Sequence, residues 1–146
     1  MVFTNINLLI DVEITFQDKI VEFVTCYKHL GITFDSNGKF HTHIFNIIKS
    51  ASQRLYALRK LKYVLNRHYL ARIYLIFIRP MFEYACELWD GCNQQDSDNL
   101  YKLQLEVGRI VTGLPLFAIR ESIYSETGWE LSSDRQRVRR LILFYS

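Results

Sequence analysis

The sequence predicts an α+β fold, a short antiparallel β meander followed by a mainly α-helical bundle. Three observations carry this. Apolar residues alternate with polar ones up to about residue 35, then recur at three- and four-residue steps after Gly38. The change falls on Asp35-Ser36-Asn37-Gly38, a turn-forming run. Apolar residues are 49% and charged residues 23% of the 146, enough for a core and too apolar for disorder.

The elements follow in order. Ile10, Val12, Ile14 and Phe16 alternate with Asp11, Glu13, Thr15 and Gln17, the period of a strand with one wet face. Ile20 to Cys26 is β-branched and aromatic, a second strand. Leu30, Ile32 and Phe34 alternate with Gly31, Thr33 and Asp35, a third. Ile44, Ile47, Ile48, Ala51, Leu55, Leu58 and Leu61 then form one apolar stripe of a long helix. Asn66 is placed to cap a second helix, Arg67 to Trp89, which Pro80 should kink or divide. After a polar loop, Asp96 or Asp98 should cap a helix from about Ser97 to Thr112, stopped by Gly113-Leu114-Pro115. A short helix is expected over Arg120 to Thr127, and a last one, capped by Ser132 or Ser133, to about Phe144.

Charge is distributed unevenly. Residues 36–82 carry nine bases and no acid: Lys39, Lys49, Arg54, Arg59, Lys60, Lys62, Arg67, Arg72 and Arg79. Residues 83–106 carry six acids and only Lys102. Like charges repel, so such a basic block calls for an anion, and phosphate backbone is the usual one. The plainer reading is a solvated helical face that pairs with the acidic block after it. Tyr56, Tyr63 and Tyr69 lie among the bases and are candidates for base stacking, whereas Tyr74, Phe77, Phe82, Tyr84 and Trp89 are expected in the core.

Several chemistries find no motif here. Neither G-x-x-x-x-G-K-[ST] nor G-x-G-x-x-G occurs. Asp11/Glu13 and Asp96/Asp98 read as a wet strand face and a helix start rather than as paired metal ligands. Cys86 and Cys92 have no second pair, and His41 and His43 face different sides of a helix. Cys26 is expected to be buried filler. An odd count of three Cys, no secretory leader pattern and no long apolar run predict an intracellular protein, nuclear or cytoplasmic, with no membrane partner.

Five short runs, in order, resemble the reverse transcriptases of non-LTR retrotransposons, jockey-like elements in particular. Tyr27-Lys28-His29-Leu30-Gly31-Ile32-Thr33-Phe34-Asp35 is similar to the K-Y-L-G-x-x-h-D segment that closes the palm, although His29 departs from the usual aromatic. Phe40-His41-Thr42-His43-Ile44 resembles the start of the first thumb helix. Ile78-Arg79-Pro80-Met81-Phe82-Glu83-Tyr84-Ala85 resembles the family's h-R-P-h-h-E-Y-A helix, and Arg109-Ile110-Val111-Thr112-Gly113 its R-h-h-T-G. Gly128-Trp129 and Arg135 to Tyr145 resemble its closing segment.

The resemblance implies three parts: a palm-end meander with a primer-grip-like hairpin over 1–38, a thumb-like helical bundle over 39–113, and a helical extension over 114–146. It implies a truncated piece of an RNA-directed DNA polymerase, with the palm carboxylates and the magnesium they hold lying before residue 1. The chain alone is then expected to bind no cofactor and to be inactive as a polymerase. Its partner would be an RNA/DNA primer–template. Lys28, His29 and Gly31 would lie near the primer end, and Lys49, Arg54, Arg59, Lys60, Lys62 and Arg67 would meet phosphates. The rival expectation is an inert relic or a helical interaction module, self-associating through the surface a palm once covered.

Overall fold

The computed structural model describes residues 14–17, 19–89, 92–130 and 132–145. The first part of the expected strand from Ile10 to Gln17, residues 10–13 with Asp11 and Glu13, lies outside these residues. The fold is α+β, with antiparallel strand pairs followed by helices. Pairing occurs in two two-stranded ladders, β1 (Thr15–Phe16) with β2 (Lys19–Ile20), and β3 (Cys26–His29) with β4 (Ile32–Asp35). The apolar run Ile20 to Cys26 is therefore not one continuous strand: Ile20 ends β2, Phe23 forms an isolated bridge, and Cys26 begins β3. Cys26 is exposed at the start of β3 rather than buried.

The β3–β4 hairpin closes through Leu30 and Gly31, with φ of 47° and 83°. Two positive φ values in a two-residue loop match the twist of the flanking strands, and glycine suits the second position. Leu30 bears the strain of a left-handed backbone, and the Tyr84 hydroxyl donates to its carbonyl at 2.6 Å. Ile32 and Thr33 are buried, so β4 is the strand that faces the helices.

Helix α1 (His41–Leu61) follows the turn. Its N-cap position, Phe40, supplies no side-chain cap. Asp35 acts instead, its carboxylate accepting from the Thr42 N–H at 2.9 Å, which places negative charge at the positive end of the helix. The predicted stripe is buried at Ile44, Ile47, Ala51, Leu55 and Leu58, and His43 joins it.

Asn66 caps α2 (Arg67–Ile73), accepting from the Tyr69 N–H as expected. The chain then widens into a π-helical turn, Tyr74–Ile78, in which the Arg79 N–H reaches the Tyr74 carbonyl. Helix α3 (Arg79–Glu83) begins with Pro80 in its first turn, where a missing N–H is tolerated. The long predicted helix thus changes its winding just before Pro80 without being divided there, and it breaks at Tyr84 and Ala85 before α4 (Cys86–Trp89). The Trp89 indole N–H donates to the Tyr84 carbonyl freed by that break.

Helix α5 (Gln94–Thr112) starts earlier than expected, because its cap is Asn93 and not Asp96 or Asp98. Asn93 accepts from the Asp96 N–H at 2.8 Å and donates back to the Asp96 carboxylate at 2.9 Å. Gly113, at φ 78°, ends the helix in the left-handed conformation. Helix α6 (Arg120–Thr127) spans the predicted residues, and α7 (Ser132–Tyr145) closes the chain. The side chains of Ser132 and Ser133, its expected caps, lie outside the described residues.

The core runs from Ile44 on α1 through Tyr74, Phe82 and Trp89 to Leu103 and Val107 on α5. Trp129 packs on it by stacking against Tyr74 with ring centroids 4.4 Å apart. Gly108 brings α6 against α5; a Cβ there would lie 2.3 Å from Ile123 Cγ2. Phe77 and Tyr84, expected in the core, are 58% and 54% exposed.

Candidate nucleic-acid interface

A helix turns about 100° per residue, which sorts the cations of α1 by direction. Lys49, Gln53, Tyr56 and Lys60 recur at four, three and four residues, opposite the buried stripe, and all are exposed. Arg54 and Arg59 lie on either side of the buried stripe, close enough to neighbouring elements to find partners. Arg54 donates to the Phe77 carbonyl, and Arg59 pairs with Glu106 of α5. Arg67, at the start of α2, pairs with Glu126 of α6 at 2.7 Å. Three of the predicted phosphate contacts are therefore engaged within the protein, but only Arg59 pairs with the acidic block of residues 83–106, as the plainer reading expected.

Lys28, Lys49, Lys60 and Lys62 form no ion pair among the described residues. Lys60 lies over the Tyr56 ring, 4.6 Å from its centroid, a cation–π contact. Lys62 sits at the C-terminal end of α1. His29 is exposed on β3 and stacks beside Tyr27, with centroids 6.1 Å apart.

Two open grooves collect these side chains. The first, of about 520 Å³, lies between the hairpin and α1. It brings Lys28 and Gly31 of the hairpin together with Lys49, and adds Asn46, Ser50 and Gln53, which sequence reasoning did not single out. Their spacing along α1 carries the signal: Asn46 and Ser50, and Lys49 and Gln53, lie four apart, forming a polar side turned away from the apolar stripe.

His43 lines the same groove. Its Nδ1 accepts from the Thr33 N–H at 3.3 Å, so the neutral ring carries its proton on Nε2, which has no hydrogen-bond partner. Its edge meets Trp89. Burial holds the imidazole below its ordinary pKa, and Lys28 adds to that while Asp35 opposes it. His41, two residues away, points elsewhere. Its Nδ1 is 2.8 Å from the Asp96 carboxylate, and that hydrogen bond and charge raise its pKa.

The second groove, of about 750 Å³, opens where α1 and α5 end. Tyr56, Arg59, Lys60, Lys62 and Tyr63 line one side, and Arg109 with Leu114 to Leu116 the other. Tyr56 and Tyr63 are 58% and 90% exposed. Tyr69 is exposed too, but its ring meets His68 away from either groove lining.

A third cluster is structural. Glu83 accepts from Arg79 at 2.6 Å, from Arg135 at 2.7 Å and from Arg139 at 3.1 Å. Burial alone would raise its pKa, but the hydrogen bonds and charges of Arg79 and Arg135 outweigh it and hold the carboxyl below the usual range. Two arginines of α7 are thereby committed to anchoring that helix. No family model, curated protein or solved structure matches the chain.

Proposed function

We propose that the chain is the primer-grip and thumb region of a retrotransposon RNA-directed DNA polymerase, a mobile-element protein, and that it holds an RNA/DNA primer–template by its phosphates. The observation that supports this reading is the groove in which Lys28, Gly31 and Lys49 meet. Gln53 lines it as well, and Lys60 lies farther along the same outward side of α1. Lysines without ion-pair partners among the described residues, beside a glycine turn that allows close approach, suit a phosphate backbone held by position and charge. No nucleotide-transfer step is assigned to these residues, and no cofactor.

Binding of a labelled RNA–DNA primer–template, followed by fluorescence anisotropy across a salt series, tests it. Affinity should fall steeply with salt, and the slope should decrease by about one for each of Lys28, Lys49 and Lys60 changed to Gln. Absence of binding at low salt, or binding indifferent to all three changes, would sink the proposal. Magnesium-dependent dNTP incorporation by the pure chain would show that polymerase chemistry resides here after all.

A second reading, a helical module that pairs with a copy of itself, is favoured by α7. Val138, Leu141, Ile142 and Phe144 are 54%, 49%, 62% and 81% exposed there. Contiguous apolar surface of this kind marks an association site. Sedimentation velocity over a concentration series distinguishes a monomer from such a dimer. No described helix is long and apolar enough to cross a membrane.

A further inference from the structure

Tyr63 stands just past the end of α1 with 90% of its surface exposed, on the rim of the larger groove. Lys60 and Lys62 share its side, and Arg109 faces them from the end of α5. Cations at helix C-termini are ordinary, because the terminal carbonyls carry partial negative charge. A further observation is not explained in that way: the lining combines apolar ring faces with an excess of positive charge, since its one acid, Glu106, is already paired with Arg59.

A ligand that fits is anionic at one end and flat and apolar at the other. We infer that this groove takes an unpaired nucleotide of a single strand, its base stacked on Tyr63 and its phosphate held by Lys60, Lys62 and Arg109. Every base has a π face, so such a seat tolerates any sequence. The inference deepens the nucleic-acid reading and rests on it, separating a single-strand seat at the end of α1 from the duplex groove beside the hairpin. An acidic peptide carrying an aromatic residue matches the charge as well, and is the competing occupant.

The test compares the intact chain with Tyr63→Ala, Tyr63→Trp and Lys49→Gln. The probes are a short labelled single strand, a blunt RNA–DNA duplex and a labelled acidic peptide containing one Trp. Tyr63→Ala should weaken single-strand binding about tenfold, toward the lower end of one base–aromatic stack, and leave the blunt duplex unchanged. Tyr63→Trp should restore it. Single-strand affinity unmoved by Tyr63→Ala, with duplex binding still sensitive to Lys49→Gln, overturns this inference and leaves the broader reading standing. Absence of binding to either nucleic acid overturns both. Tyr63-dependent capture of the peptide, without single-strand binding, assigns the groove to a protein instead.

Discussion

Replacing Gly108 with alanine sets two effects against each other. Gly108 lies inside α5, where alanine should stabilise the helix by about 1 kcal/mol. The added methyl, however, would sit 2.3 Å from Ile123 Cγ2, where carbon–carbon contact needs about 3.5–4.0 Å. Ile123 is 1% exposed and β-branched on a helix, so its χ1 has little freedom to swing away. Relief must come from moving α6 outward by more than 1 Å (about 1.2–1.7 Å from those two distances), at a cost of about 2–4 kcal/mol for overpacking a close-fitted core. The net expectation is a loss of about 1–3 kcal/mol, which for a chain of this size lowers Tm by roughly 3–9 °C. Differential scanning calorimetry of the single variants and of Gly108→Ala/Ile123→Ala measures it. Because Ile123→Ala removes the clashing methyl, the double variant should be more stable than the sum of the singles by about 1–2 kcal/mol. A Tm raised by Gly108→Ala, or additivity within about 0.5 kcal/mol, would refute the claim that α5 and α6 meet at this glycine.

Three other outcomes are expected. Glu83→Gln should cost about 2–3 kcal/mol in denaturant titrations, less than a fully buried pair because Arg79 and Arg139 are partly exposed, and should make α7 the first site of proteolytic cleavage. Since the folded carboxyl is held below its ordinary pKa, its stabilisation is complete above about pH 4.3, fades as pH falls through the folded value, and should be absent from the variant. Between pH 5 and 8 the two histidines oppose each other. His41, raised by Asp96, stabilises fully below about 6.5 and loses that contribution as pH rises through its folded pKa; His43, lowered by burial, does the reverse. Melting curves of His41→Ala should therefore show stability climbing from pH 5 to 7, and a flat profile would contradict the His43 geometry. Gly31→Ala, at φ 83° with Tyr84 in ordinary contact, should lose about 1–2 kcal/mol from backbone strain alone, and Gly31→Asn less, by thermal melting.

Much of the helical layout was legible because it rests on local rules. The stripe of α1, the Asn66 cap and the short α6 each follow from residues within a few turns of one another. The start of α5 was misjudged because Asn93, Asp96 and Asp98 are equally good caps locally. What selects Asn93 is Asp96's burial beside His41, a contact 55 residues away in sequence. The interface was half legible for the same reason. A basic block can be counted, but Arg59 and Arg67 are committed by Glu106 and Glu126, which no local pattern reveals. Cys26 and Phe77 look like core residues by type and are exposed by placement, since neither strand β3 nor the outer side of the π-helical turn is covered.

That turn also governs phase. Leu70, Tyr74, Ile78 and Phe82 are buried to within 3% of completely, at a strict spacing of four. On a regular α-helix a four-residue step overshoots by about 40°, so the last of these would be carried about 120° off the first. The wider π-helical turn takes up the excess, as a leap day does for a calendar, and keeps all four on one side. Deleting one residue there, such as the exposed Ile76, would restore ordinary hydrogen bonding and keep Phe82 in phase, since eleven residues of regular α-helix return to within about 20° of the starting direction. Wound as regular α-helix at its full length, the same stretch would instead carry Phe82 out of the core and Glu83 away from the arginines of α7. The local irregularity is thus a condition of the longer-range order.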